Sequence, residues 1–212
     1  MSEPISVRAR FERFPATVKG AFIFRGEDPD PHQVVLHRAR VTAVGAGGSS
    51  DVPMSPVTLD VVPHRDVFVP FELPVSELDP GWYSLVCDVD VDGAPASYDG
   101  GRLFSMPWPR ATVRRGVVKV ERVVALGDAT VRVEQLDLGG DSAKLHLLIE
   151  PPGPITVKLA ADGRRLDLLE TEIDESTGRG KVTAYPVLRT VSSVRIELKR
   201  RGAEASLDVP LD

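Results

Sequence analysis

Apolar and polar residues alternate with a period of two along most of this chain, the pattern of strands that bury one face and wet the other. Between positions 5 and 11, Ile5, Val7, Ala9 and Phe11 share one face while Ser6, Arg8 and Arg10 share the other. The same alternation recurs at 57–61, 67–73, 83–91, 145–149, 155–159, 194–198 and 207–211. No stretch carries a competing helical period. Turn residues divide the runs at short intervals: Gly45-Ala46-Gly47-Gly48, Asp79-Pro80-Gly81, Asp92-Gly93, Gly139-Gly140, Pro152-Gly153-Pro154 and Asp162-Gly163. Two stretches break the rhythm. Residues 113–124 place apolar side chains on both phases, and 130–138 slips phase between Val133 and Leu136, which predicts a β-bulge.

Short strands with frequent turns predict an all-β protein of sandwiches or barrels. About seven strands are expected before residue 108 and about eight after 112, and seven strands in about 100 residues is the size of one immunoglobulin-type sandwich. The boundary falls at Met106-Pro107-Trp108-Pro109, because prolines cannot donate to a central ladder. The chain is therefore expected to hold two tandem β-sandwich domains, 1–106 and 113–212, joined by a stiff Pro-Trp-Pro linker at 107–112. Trp108 is expected either to pack between the domains or to anchor a partner.

One segment carries a resemblance. Leu78-Asp79-Pro80-Gly81-Trp82-Tyr83-Ser84-Leu85-Val86 resembles the turn into the penultimate strand of immunoglobulin-like and fibronectin type III-like sandwiches. The resemblance implies an immunoglobulin-like first domain in which Tyr83 forms a tyrosine corner. Cys87 sits four residues after Tyr83 and has no cysteine partner, so the antibody disulfide is absent. Proteins of this shape serve as binding modules and spacers, but fold alone does not fix function.

Composition narrows the partners. The net charge of -5 over 212 residues gives nucleic acid no electrostatic reason to bind the whole molecule. The first residues lack the apolar core of a signal peptide, and no run is long and apolar enough to span a membrane, so a cytoplasmic protein is expected. The single cysteine excludes an intramolecular disulfide.

For chemistry, the most pointed motif is Asp88-Val89-Asp90-Val91-Asp92-Gly93 with Asp99. Oxygen ligands at alternating positions, Gly at position six and an acid at position twelve describe a calcium loop. Position twelve is Asp, position eight is Pro95, and no helix flanks the segment. Read as a strand, it turns Tyr83, Leu85, Cys87, Val89 and Val91 inward and the aspartates outward. A second acidic stretch, from Glu170 to Glu175, reads as a solvated hairpin. The four histidines, His32, His37, His64 and His146, have no metal-ligand spacing. His146 belongs to the outward face with Lys144 and Glu150, whereas His37 shares the phase of Val35, Ala39 and Val41 and is expected to be buried. Cys87 falls on the inward phase, where a thiol is inert packing. No nucleophile elbow or phosphate loop is present, and Gly45–Gly48 lacks the Lys and following helix of a phosphate cradle. Basic residues gather at Arg110, Arg114 and Arg115, and again at 199–201, where an acidic partner is conceivable.

These features point away from an enzyme and toward a non-catalytic interaction or accessory protein whose partner is another protein. The alternatives are a cation- or carbohydrate-binding accessory module using the aspartate row and the exposed aromatics, and an enzyme whose site is dispersed over loops.

Overall fold

A computed structural model describes residues 3–45, 48–76 and 78–211, with the side chain of Arg102 also left out. Ala46 and Gly47 of the glycine-rich turn lie outside the described residues. The protein is all-β, with no helix among the described residues, and it divides into two compact units, Met1–Met106 and Pro107–Asp212.

The first unit holds eight strands: β1 (Ile5–Arg13), β2 (Thr17–Gly26), β3 (His32–Ala43), β4 (Ser49–Val52), β5 (Val57–Val61), β6 (Asp66–Pro74), β7 (Gly81–Val91) and β8 (Ala94–Met106). They form two antiparallel sheets, one ordered β1-β2-β6 and the other β4-β3-β7-β8, with β5 pairing the first half of β3 beside β4. Alternation sends Ile5, Val7 and Ala9 of β1, Val69, Phe71 and Leu73 of β6, and Leu85, Cys87 and Val89 of β7 into one core. At the entry to β7 the Tyr83 hydroxyl donates to the Asp79 carbonyl at 2.9 Å, fixing the turn back onto the strand. The Tyr83 ring stacks on Phe104 with centroids 5.6 Å apart.

The second unit holds β9 (Gly116–Leu126), β10 (Ala129–Leu138), β11 (Ala143–Glu150), β12 (Thr156–Ala161), β13 (Arg164–Leu166), β14 (Leu168–Ile173), β15 (Arg179–Ala184), β16 (Ser193–Arg200) and β17 (Ala203–Pro210). Its sheets are ordered β14-β15-β11-β10-β9 and β13-β12-β16-β17, around a core that includes Leu136, Leu145, Ile149, Leu159 and Ile196. The phase slip in β10 is a register shift between Val133 and Gln135 against both neighbours. The same irregularity explains the mixed phases of β9, where Glu121 turns to a φ of 47° opposite the shift.

Two expected turns are two-residue hairpin loops with both central residues at positive φ: Asp92-Gly93 at 52° and 82°, and Asp162-Gly163 at 44° and 80°. Asp and Gly tolerate that region, and its twist matches the flanking strands. The segment after Met106 belongs to the second unit and folds into a turn closed by the Thr112 amide on the Pro109 carbonyl.

Candidate functional site

Asp88 and Asp90 lie two apart on the outward face of β7, as strand geometry requires, and Asp92 follows as the first residue of the turn. Each meets a basic side chain of β3. Asp88 takes hydrogen bonds from Arg38 Nη2 at 2.9 Å, Arg40 Nη1 at 2.8 Å and the Ser97 hydroxyl at 3.0 Å. Asp90 meets His37 Nε2 at 2.7 Å, and Asp92 meets His32 Nδ1 at 2.7 Å. Asp99 receives the Gly101 amide at 3.0 Å. The row is thus one side of a cross-strand charge ladder between β7 and β3. Among the described residues, no three His, Cys, Asp or Glu side chains are arranged to hold a metal ion.

This ladder depends on a bulge. The register between β3 and β7 shifts between Leu36 and Arg38, which leaves His37 as the extra residue. Val34, Leu36, Ala39 and Val41 are buried, while His37 and Arg38 both face outward. The expectation that His37 is buried is therefore corrected: simple alternation carried it inward from Ala39, and the bulge reverses the phase at that point.

Charge and burial set the acids and the thiol. Burial alone pulls the Asp88 carboxyl up, but the hydrogen bonds from Arg38 and Ser97 and the charges of Arg40 and Arg38 outweigh it and hold it below the usual range. Asp92 is also lowered, first by His32 and then by the Gln33 amide. Burial pushes the Cys87 thiol up, and Asp88 and Asp99 add to the effect, so the thiolate nucleophile is suppressed.

At the β5–β6 side of the first unit an open groove of about 860 Å³ is lined by Pro53, Met54, Val57, Phe68, Pro70 and Phe71. Strand β6 is the end of its sheet, and Phe68, pointing outward from it, is 57% exposed. Beside Phe68 in register, Ile23 of β2 is buried to 2% although it faces away from the core that holds Phe22 and Phe24. The exposed apolar surface is therefore that of Phe68 and the groove, and beyond Ile23 the outer face carries the ion pairs of Arg8 and Arg25 with Asp66. Sequence reasoning passed over it because an outward Phe in one strand carries no sign of what lies beside it.

Trp108 is half-buried, and its ring meets Tyr185 edge-on at 5.6 Å within the second unit. In that unit Arg114 and the 199–201 cluster serve the fold. Arg114 Nη2 donates to the carbonyls of Arg189 and Val191, buried Arg200 donates to the Pro151 carbonyl, and Lys199 and Arg201 pair with Glu204 and Asp128. His146 lies outward and meets Asp137 at 2.9 Å.

No protein-family model matches the chain, and no curated protein resembles it in sequence. Among solved structures, a conserved domain protein from Bacillus anthracis aligns over 100% of this chain and 89% of its own, at 10% identity and a TM-score of 0.39. A marsupial T cell receptor aligns over 99% of this chain and 63% of its own, at 11% identity and a TM-score of 0.29. Likenesses this distant carry no functional argument.

Proposed function

We propose that this chain is a non-catalytic interaction protein whose first unit receives an apolar side chain of a partner protein in the groove beside Phe68. The observation that carries the reading is Phe68 itself, a large aromatic left 57% exposed over a mostly apolar groove. Burying the part of the ring still exposed contributes about 1–2 kcal/mol, which suits an anchor residue. Recognition is by side-chain insertion rather than strand addition. Pro70 and Pro74 interrupt β6 and have no N–H to give an added strand. The ladder acids favour the same reading, since their charges are taken up pairwise across strands instead of converging on a substrate.

In this proposal the first unit is an immunoglobulin-like or fibronectin type III-like module, supported by its β1-β2-β6 and β4-β3-β7-β8 sheets and by the Tyr83 to Asp79 hydrogen bond. A cytoplasmic setting suits the lone buried thiol of Cys87.

The test is affinity capture from native extract with the tagged chain and its Phe68→Ser and His146→Ala variants, after circular dichroism has established that all three fold. A stoichiometric partner held by the wild type and His146→Ala but lost with Phe68→Ser supports the reading. Identical captures by all three would refute it.

A further inference from the structure

The 27–31 loop and the Asp92-Gly93 turn meet at one imidazole. His32 Nε2 lies 2.7 Å from Asp28 Oδ1, and Nδ1 lies 2.7 Å from Asp92 Oδ2. A carboxylate oxygen only accepts, so each ring nitrogen must donate, and only the imidazolium carries two N–H groups. A neutral ring would set a nitrogen lone pair against one of the two carboxylates. The His32 side chain is only 9% exposed, which leaves water little room to mediate.

We infer that His32 is a proton-operated clamp: as the imidazolium it ties the 27–31 loop to the β7–β8 turn and steadies the start of β3, and on losing its proton it gives up one of the two carboxylates and loosens that end, which the Gln33–Asp92 hydrogen bonds alone then hold. The consequence reaches the groove through β5. That strand pairs with β3 over His32–Leu36 and, among the described residues, with no other strand, while its Val57 and Leu59 form one wall of the groove. The clamp thus regulates the interaction site proposed above, and its regulatory meaning rests on that reading.

The charges that bear on His32 are Asp28 from the loop and Asp92 from the turn. Strand β5 places Val61 opposite His32, with Asp60 next along, opposite Gln33. The Gln33 amide donates to Asp92 and the Asp30 amide to Asp28, so both carboxylates are already oriented toward the ring. The hydrogen bond to Asp92, then that to Asp28, raises the His32 pKa against the opposing effect of burial. A raised folded-state pKa means that the clamp acts fully below the ordinary value of about 6.5 and is lost as pH climbs through the higher folded value.

Nitrogen-15 NMR of the full chain tests this directly, with the ring shifts of His32 and the hydrogen exchange of the 57–61 amides followed from about pH 6 to about pH 9. We expect both ring nitrogens protonated at the acidic end. Across the His32 titration, the protection of 57–61, corrected for intrinsic exchange, should fall by up to about tenfold per pH unit, the limit for one coupled proton. The 145–149 amides should not follow. His32→Ala should flatten the profile at the low-protection level, and His37→Ala should keep the wild-type profile. A single neutral tautomer at about pH 6, or a flat wild-type profile, overturns the clamp, and both are read on the wild type even if a variant fails to fold. Neither readout needs a partner, so failure of the clamp and failure of the groove as a binding site are told apart.

Discussion

Replacing Asp88 with Asn keeps the shape of the side chain and removes its charge at the centre of the ladder. Two guanidiniums, Arg38 and Arg40, then lose their shared counter-ion, while an amide oxygen can still accept from Ser97. A hydrogen bond to a charged group contributes about 1.5–3 kcal/mol, and discounting for a carboxyl that is 28% exposed leaves a cost of about 1–2 kcal/mol. The chain contains two tryptophans, Trp82 in the first unit and Trp108 in the second, so a Trp108→Phe background lets Trp82 emission report the first unit alone. With a urea slope of about 1 kcal/mol/M, expected for a unit of this size, the midpoint should drop by about 1–2 M. The gap between Asp88 and its Asn variant should narrow in about 1 M salt, where screening shortens to about 3 Å. It should also hold steady from neutral pH down to about 4 and close below that, since a carboxyl with a lowered folded-state pKa loses its contribution only as pH falls through that value. Asp99→Asn, which removes no ion pair among the described residues, should change stability by less than about 0.5 kcal/mol. An unmoved midpoint, or a gap indifferent to salt, would refute the electrostatic account.

Three further outcomes follow from the same geometry. Tyr83→Phe removes the bond to the Asp79 carbonyl but keeps the ring on Phe104, so it should cost about 1 kcal/mol and lower the melting temperature of the first unit by about 5 °C; no change would mean the corner is decorative. Gly178→Ala should destabilise the second unit by more than about 2 kcal/mol, read by Trp108 emission in a Trp82→Phe background, because the backbone sits at φ 73° and a Cβ would lie 2.1 Å from the Ile149 carbonyl oxygen. Calcium at about 5 mM should leave the melting temperature of the first unit in place, because the ladder acids already hold Arg38, Arg40, His37 and His32 as hydrogen-bond partners; a rise of several degrees would make the aspartate row a cation site after all.

What the sequence makes legible is whatever a single strand decides for itself. In β7 strict alternation places Tyr83, Leu85, Cys87, Val89 and Val91 inward, and all five are buried. Asp92-Gly93 and Asp162-Gly163 announce hairpins because their turn type needs residues that accept positive φ. Strand β2 is harder to see, since Phe22, Ile23 and Phe24 are apolar in succession and all three are buried, two in the core and one on the outer face. The bulge at His37 leaves no local mark, because either phase of β3 offers a credible apolar set until β7 fixes the register. His32 and Asp92 are sixty positions apart, and only the meeting of a loop with a distant turn makes them neighbours.

The difference between the two surfaces of the first unit is the strongest guide to its use. On the β3–β7 face, Arg38, Arg40 and His37 of one strand already hold Asp88 and Asp90 of the next, so a partner approaching there would have to displace pairs already formed and would gain little for it. Beside β6 the chain offers the opposite: an exposed aromatic over a groove lined by Pro53, Met54 and Val57, and an ion pair of Lys19 with Glu72 that cancels its own charge. A partner gains there by removing apolar surface from water without breaking any polar interaction, and affinity of that kind should respond weakly to salt. The β7 ladder and the β6 groove therefore separate by ionic strength: added salt should weaken the effect of Asp88→Asn on stability while leaving capture through Phe68 intact, and capture that collapses in salt would place the binding energy in charges and not in the groove.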